Sequence, residues 1–288
     1  MNGREQWDGG ARRANWASFA ALGDSFTEGI ADPAPGGGFR GWADRLAEHL
    51  TTREPELRYA NLAVRGKLLR QIVETQVPQA LELRPALVSL VGGGNDIIRP
   101  GGDPDELAAI FDDAVARLRA TGADVLIGTG FDTSTTPVLR RVRGKVGTYN
   151  AHLRAVADKH GCFVVDLWSM RVLQDQRAWS DDRLHLSAEG HRRVALRACE
   201  ALGVEVDQDW RTAWPELPTR TWRVQRAEDI QWAREHLAPW IVRRLRGRSS
   251  GDGRGPKRAD RLELRAVLRA GPDRLGAGVG VRGQLRPR

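Results

Sequence analysis

Gly23-Asp24-Ser25-Phe26-Thr27-Glu28-Gly29 decides how this 288-residue chain folds. An apolar run, Trp16 to Leu22, leads straight into it. Phe19-Ala20-Ala21-Leu22 has the length and polarity of a short buried strand, and the following Gly and Asp stop it. A serine therefore sits just past a strand's carboxyl end, on a tight turn flanked by glycines. In open α/β sheets that edge is where ligands bind. Alone, the turn has a plainer reading as a helix start, with Asp24 or Ser25 as the cap. The rest of the chain chooses between the two.

Four more apolar runs follow the first: 57–62, 86–91, 124–128 and 162–166. Between them lie stretches with helical spacing, predicted over 39–52, 67–82, 103–121 and 145–160, with a last helix from Ser187. Leu107, Ile110, Phe111, Ala114, Val115 and Leu118 form one face of the third, which Asp103-Pro104 starts. Gly190 is oddly placed in the first turn of the last. Strands alternating with amphipathic helices imply parallel pairing through right-handed crossovers, with helices on both faces. The expectation is a three-layer α/β/α domain over 16–204. Its special residues follow strand ends, so the fold gathers them along one edge.

Those residues are Ser25 after strand one, Gly66 after strand two, Asn95 after strand three, and Asp182 with His185 before the last helix. A serine needs a base to become a nucleophile, and histidine is the usual base near neutral pH. The imidazole in turn needs an acceptor to fix its tautomer. Asp182 and His185 are three apart, which in a turn or helix puts both on one side. Asp181 is a rival orienter. Acyl transfer also needs donors for the oxyanion. The N–H groups of Ser25 and Gly66 and the Asn95 amide would supply three. Each residue has a blander role as well: turn glycine, cap, or packed histidine. Asp24 and Asp96 read as structural, tying neighbouring turns.

The stretches Gly23–Gly29, Asn61–Gly66, Gly93–Asp96 and Asp182–His185, in that order, resemble the four blocks of the SGNH hydrolase family, the GDSL-type esterases and lipases. The resemblance covers about 16–204. It implies a flavodoxin-like sheet of five parallel strands, Ser25 as nucleophile, His185 as base, Asp182 as its orienter, and Gly66 and Asn95 as oxyanion donors. It implies a small-molecule ester substrate and no cofactor. Two other templates fail. The α/β-hydrolase elbow requires glycine where Thr27 stands, and no Gly-x-Gly-x-x-Gly completes a dinucleotide site. His191 lies six residues past His185, not at the four-residue spacing of a helical metal pair, so no metal is expected.

Charge divides the chain. Residues 205–288 carry 19 Lys and Arg against 11 Asp and Glu, which accounts for the whole net charge of +8. Residues 1–15 read as a polar lead-in, 205–246 as a Trp- and Arg-rich strap with an amphipathic helix, and 247–288 as a disordered Gly/Arg-rich tail. The helix either packs back on the domain or seats on an anionic membrane surface. A nucleic-acid role is disfavoured, since no binding motif occurs. No stretch of eighteen apolar residues and no signal-peptide core is present, so a cytoplasmic protein is expected. The alternative to an esterase is an inactive hydrolase fold that binds through its basic tail. The intact set of five site residues argues against it.

Overall fold

The computed structural model describes residues 15–216 apart from 36, 137 and 138, together with 226, 230–232, 234–235, 251 and 253–263. The expected lead-in up to residue 14, most of the amphipathic helix of 205–246, and the tail beyond 263 lie outside the described residues.

The chain runs β1 (Ser18–Gly23), α1 (Ser25–Glu28), α2 (Gly41–Leu50), β2 (Arg58–Asn61), α3 (Leu69–Leu83), β3 (Leu87–Val91), α4 (Gly94–Ile97) and α5 (Pro104–Arg119). It continues with β4 (Asp124–Gly128), α6 (Arg143–His160), β5 (Phe163–Val165), α7 (Ala188–Ala201) and β6 (Arg258–Glu263). The strand order is β5-β4-β3-β1-β2-β6, with β1 to β5 parallel. Strand β1 is central: from it the chain winds first to β2 on one side, then to β3 on the other. The β1/β3 boundary is therefore the topological switch point, where such sheets open a crevice at their carboxyl ends.

Alternate strand residues serve opposite faces, and both faces are dry. Phe19, Ala21, Leu87 and Leu126 pack with Trp42, Leu46 and Leu50 of α2 and Val194, Leu196 and Cys199 of α7. Ala20, Leu22, Val88, Leu90, Val125 and Ile127 pack with α3, α5 and α6. That two-sided burial explains why the strands read as unbroken apolar runs rather than alternating ones.

The sheet has six strands where five are expected, and the sixth comes from the segment expected to be disordered. Strand β6 lies antiparallel on β2, pairing Arg58 with Glu263, Tyr59 with Leu262 and Asn61 with Arg258. Arg258-Ala259-Asp260-Arg261-Leu262-Glu263 has no apolar run for a sequence reading to find. An edge strand needs none, because main-chain pairing on one side holds it, and it covers the open edge of β2. The start of the expected strap packs back on the domain. Trp210 and Trp214 join the α2/α7 core, and Arg193 donates to the carbonyls of Trp210 and Thr212 at 3.0 and 2.5 Å. Among the described residues, no helix is long and apolar enough to cross a membrane.

Gly190 also finds its reason. A Cβ there would lie 2.1 Å from the carbonyl oxygen of Ala178. That same carbonyl accepts from Ser187 N at 2.9 Å, and Ser187 Oγ caps α7 by accepting from Gly190 N at 3.2 Å. The glycine lets the turn holding Asp182 and His185 close onto the helix start.

Candidate active site

Register brings the candidates together. Gly23 of β1 pairs with Val91 of β3, so the turns that follow these strands open side by side. Ser25 begins α1 and Asn95 lies in α4. Asp24 N-caps α1 through its Oδ1, which accepts from Phe26 N at 3.0 Å. Its Oδ2 accepts from the Asn95 amide at 3.0 Å, tying the two turns. The Asn95 amide also donates to Lys67 O, at 3.2 Å. Asp96 accepts from Leu69 N at 3.0 Å, linking α4 to α3. Both acids thus tie turns, as the sequence reading expects.

The serine turn is held from several sides. Gln76 of α3 clamps the Gly23 peptide, accepting from its N–H at 2.8 Å and donating to its carbonyl at 2.9 Å. Asn61 donates to Thr27 O at 3.0 Å. Arg65 forks onto Glu28, the last residue of α1. Gln76 and Asn61 leave no signal of this role in the sequence, because their partners are main-chain groups of another turn.

Ser25, Asn95 and His185 line one cavity of about 190 Å³ at the switch point. Val91, Ile97, Ile98, Phe131, Leu139, Val142 and Val146 give it apolar walls. Its rim is fixed by side-chain clamps: Asn150 takes both polar groups of Gly130, at 2.7 and 2.9 Å, and Tyr149 donates to Gly92 O at 3.3 Å.

Asp182 stands behind His185. Its Oδ2 lies 2.6 Å from His185 Nδ1. Its Oδ1 accepts from Ser180 Oγ at 2.7 Å and from the N–H groups of Leu184 and His185, both at 2.9 Å. Arg183 takes φ +54° so that the turn closes. Burial disfavours the Asp182 charge, but the His185 hydrogen bond and charge, with those N–H groups, outweigh it. The carboxyl is held far below the usual carboxylate range. Asp181, the rival, is exposed on the turn, and the carboxylate bonded to the His185 ring is that of Asp182. Burial pushes Asp24 the other way, up to about 6.

Gly66 is half-buried, with φ +74°, in the loop after β2, and is not among the residues lining the cavity. It adjoins Lys67, whose carbonyl receives the Asn95 amide. His191, whose spacing from His185 argues only against a metal pair, is a buried member of the cavity wall. Its Nδ1 accepts from Trp42 N at 3.2 Å, which leaves Nε2 protonated and facing Ile30 O at 3.2 Å. Burial lowers its pKa to about 4. Among the described residues, no group of three or more His, Cys, Asp or Glu gathers to hold a metal.

A doubly wound sheet with this order thus carries a histidine–carboxylate pair beside an apolar cavity at its switch point, the setting of a hydrolase. The model of the GDSL-like lipase/acylhydrolase family matches residues 21–193, more than half of the chain, and the chain belongs to that family. Among solved structures it is similar to LAE5, an alpha/beta hydrolase enzyme from the metagenome of Lake Arreo, Spain. Identity is 27%, TM-score 0.56, over 65% of this chain and 95% of that one. It shares its fold with Axe2, an acetylxylan esterase from Geobacillus stearothermophilus, at 22% identity and TM-score 0.55, over 65% of this chain and 94% of that one. TesA compares likewise, at 21% identity and TM-score 0.54, over 64% of this chain and 97% of that one. No curated protein sequence matches the chain.

Proposed function

We propose that the protein is a serine esterase in which Ser25 is the nucleophile, His185 the general base and Asp182 its orienter. The observation that carries the reading is the 2.6 Å bond between His185 Nδ1 and Asp182 Oδ2, at a cavity that Ser25 also lines. With Nδ1–H held by the carboxylate, Nε2 is the ring nitrogen left to take a proton. Ser25 Oγ attacks the ester carbonyl and its proton passes to Nε2. The tetrahedral oxyanion forms between donors. It collapses as the alcohol leaves with that proton, and an acyl-serine remains. Water then attacks, again giving its proton to His185. Ser25 leaves as the free hydroxyl and the acid is released.

The N–H of Ser25 opens α1 and has no intrahelical acceptor, which suits it to the oxyanion. Gly66 N–H and the Asn95 amide are the other proposed donors. Asn95 serves by exchanging its longer bond, to Lys67 O, for the substrate oxygen. Losing one such donor costs about 3 kcal/mol in the barrier. The apolar walls suit an acyl chain longer than acetyl.

Hydrolysis of p-nitrophenyl acetate, butyrate and octanoate by wild type and Ser25→Ala tests the mechanism. Loss of turnover in the variant, with fluorophosphonate labelling of Ser25 in the wild type, is the expected result. Equal rates in both proteins would sink it.

A further inference from the structure

The chain beyond the family's matched residues returns to the serine turn. Lys257, just before β6, sends its ammonium into the domain. Nζ reaches three main-chain carbonyls: Glu28 at 2.6 Å, Arg40 at 2.8 Å and Phe39 at 3.0 Å. It also pairs with the buried carboxylate of Asp44 in α2. Glu28 ends the four-residue helix that Ser25 begins, while Phe39 and Arg40 lead into α2. One ammonium thus fastens the end of α1 to the start of α2 and closes the loop between them.

Burying an ammonium costs several kcal/mol unless its partners repay it. An edge strand alone gives no reason to accept that cost. The approach is nonetheless built in. Gly251 lies against Arg65, where a Cβ would sit 1.9 Å from the carbonyl oxygen, and Arg65 is the residue that forks onto Glu28. The same segment reaches the other half of the site, since Trp232 Nε1 donates to Asp182 O at 3.0 Å.

We propose that Lys257 is a positioning residue for Ser25, acting through the Glu28 carbonyl and the 28–40 loop. The C-terminal segment is then part of the active-site framework rather than an appendage. This rests on the serine-esterase reading above. Misplacing a reacting atom by 1 Å can cost about 100-fold in rate.

The test uses the full chain and two variants. Lys257→Met keeps the stem and removes the donors. Lys257→Met with Asp44→Asn also removes the carboxylate that would otherwise be left unpaired, so it keeps the question open should the single variant not fold. Turnover of p-nitrophenyl butyrate, the rate of fluorophosphonate labelling at Ser25, and Tm are measured in each. A positioning role predicts a double variant that is folded, with kcat and labelling rate down by about 10-fold or more and KM within about 3-fold of wild type. A folded double variant with wild-type kcat would make Lys257 merely the counter-ion of Asp44 and overturn the proposal. Ser25→Ala is run beside them. If it matches wild type, the esterase reading itself fails and the proposal falls with it. If it is inactive, the rates of the Lys257 variants decide the proposal on their own.

Discussion

Asp182 holds His185 twice: Oδ2 lies 2.6 Å from Nδ1, and Oδ1 accepts the N–H of the same residue at 2.9 Å. One carboxylate thus fixes the ring and the main chain that carries it. Asp182→Asn keeps the shape but offers an amide where the ring needs an acceptor. Its expected effect is a fall in kcat of about 10⁴-fold, by comparison with the same exchange in Ser-His-Asp hydrolases, with KM little changed. Because the Asp182 carboxyl titrates far below the usual range, the acid limb of the wild-type pH–rate profile is not its own. A variant within 2-fold of wild type would show that Asp182 does not orient the base, on the scale of about 10⁴ expected for that role.

His191 makes stability depend on pH. Its folded pKa is lowered from 6.5 to about 4 by burial. Between these values the unfolded chain binds a proton that the folded one does not, so this contribution is full above pH 6.5 and lost as pH falls toward 4. The shift corresponds to about 3 kcal/mol at most. His191→Gln can still accept from Trp42 N and donate to Ile30 O, yet does not titrate. Thermal melts from pH 7 to 4 should show wild type losing its advantage over the variant as pH drops. A constant gap would contradict the buried neutral imidazole.

Asp24 acts with the opposite sign. Burial raises its pKa from 3.8 to about 6, so between these values the folded chain binds the extra proton. Its contribution is full below pH 3.8 and is lost as pH rises through 6. Asp24→Asn removes that loss, so Tm of the variant relative to wild type should climb between pH 4 and 7 and then level. The same change sets an amide against Asn95 Nδ2, which now donates to Asp24 Oδ2. Activity should therefore fall even where stability gains. A variant that gains stability and keeps full kcat would show that Asp24 does not orient Asn95.

Legibility in the sequence follows the range of the interactions. The five parallel strands are readable because each packs against helices on both faces and shows as an apolar run. Asp182 and His185 are readable as a pair because their hydrogen bond spans three residues. Strand β6 is not, since main-chain pairing to β2 decides it and its side chains carry no apolar pattern. Gln76, Asn61 and Lys257 escape a sequence reading for a related reason. They bind main-chain carbonyls or N–H groups brought near only by the fold. Gly190 is legible as an oddity but not as a close approach to Ala178. Gly66 is legible as a turn, and its φ of +74° agrees, but a backbone N–H leaves no mark in the sequence that would say where it points.

The cavity walls set an expectation for chain length. Each methylene moved from water onto Val91, Ile97, Leu139 and their neighbours gains about 0.8 kcal/mol, or roughly 4-fold in kcat/KM. Across p-nitrophenyl esters, kcat/KM should therefore rise from acetate through butyrate and level where the acyl chain fills the cavity. Val142 stands on the wall and is only half-buried, so Val142→Phe can narrow the space without opening the core. Filling the room of two methylenes should cost octanoate roughly 15-fold in kcat/KM while leaving acetate within about 2-fold. An equal loss for both esters would mean that Val142→Phe disturbs the serine turn. No loss for either would mean that the acyl chain lies elsewhere, and the cavity would then have to hold the alcohol side of the ester.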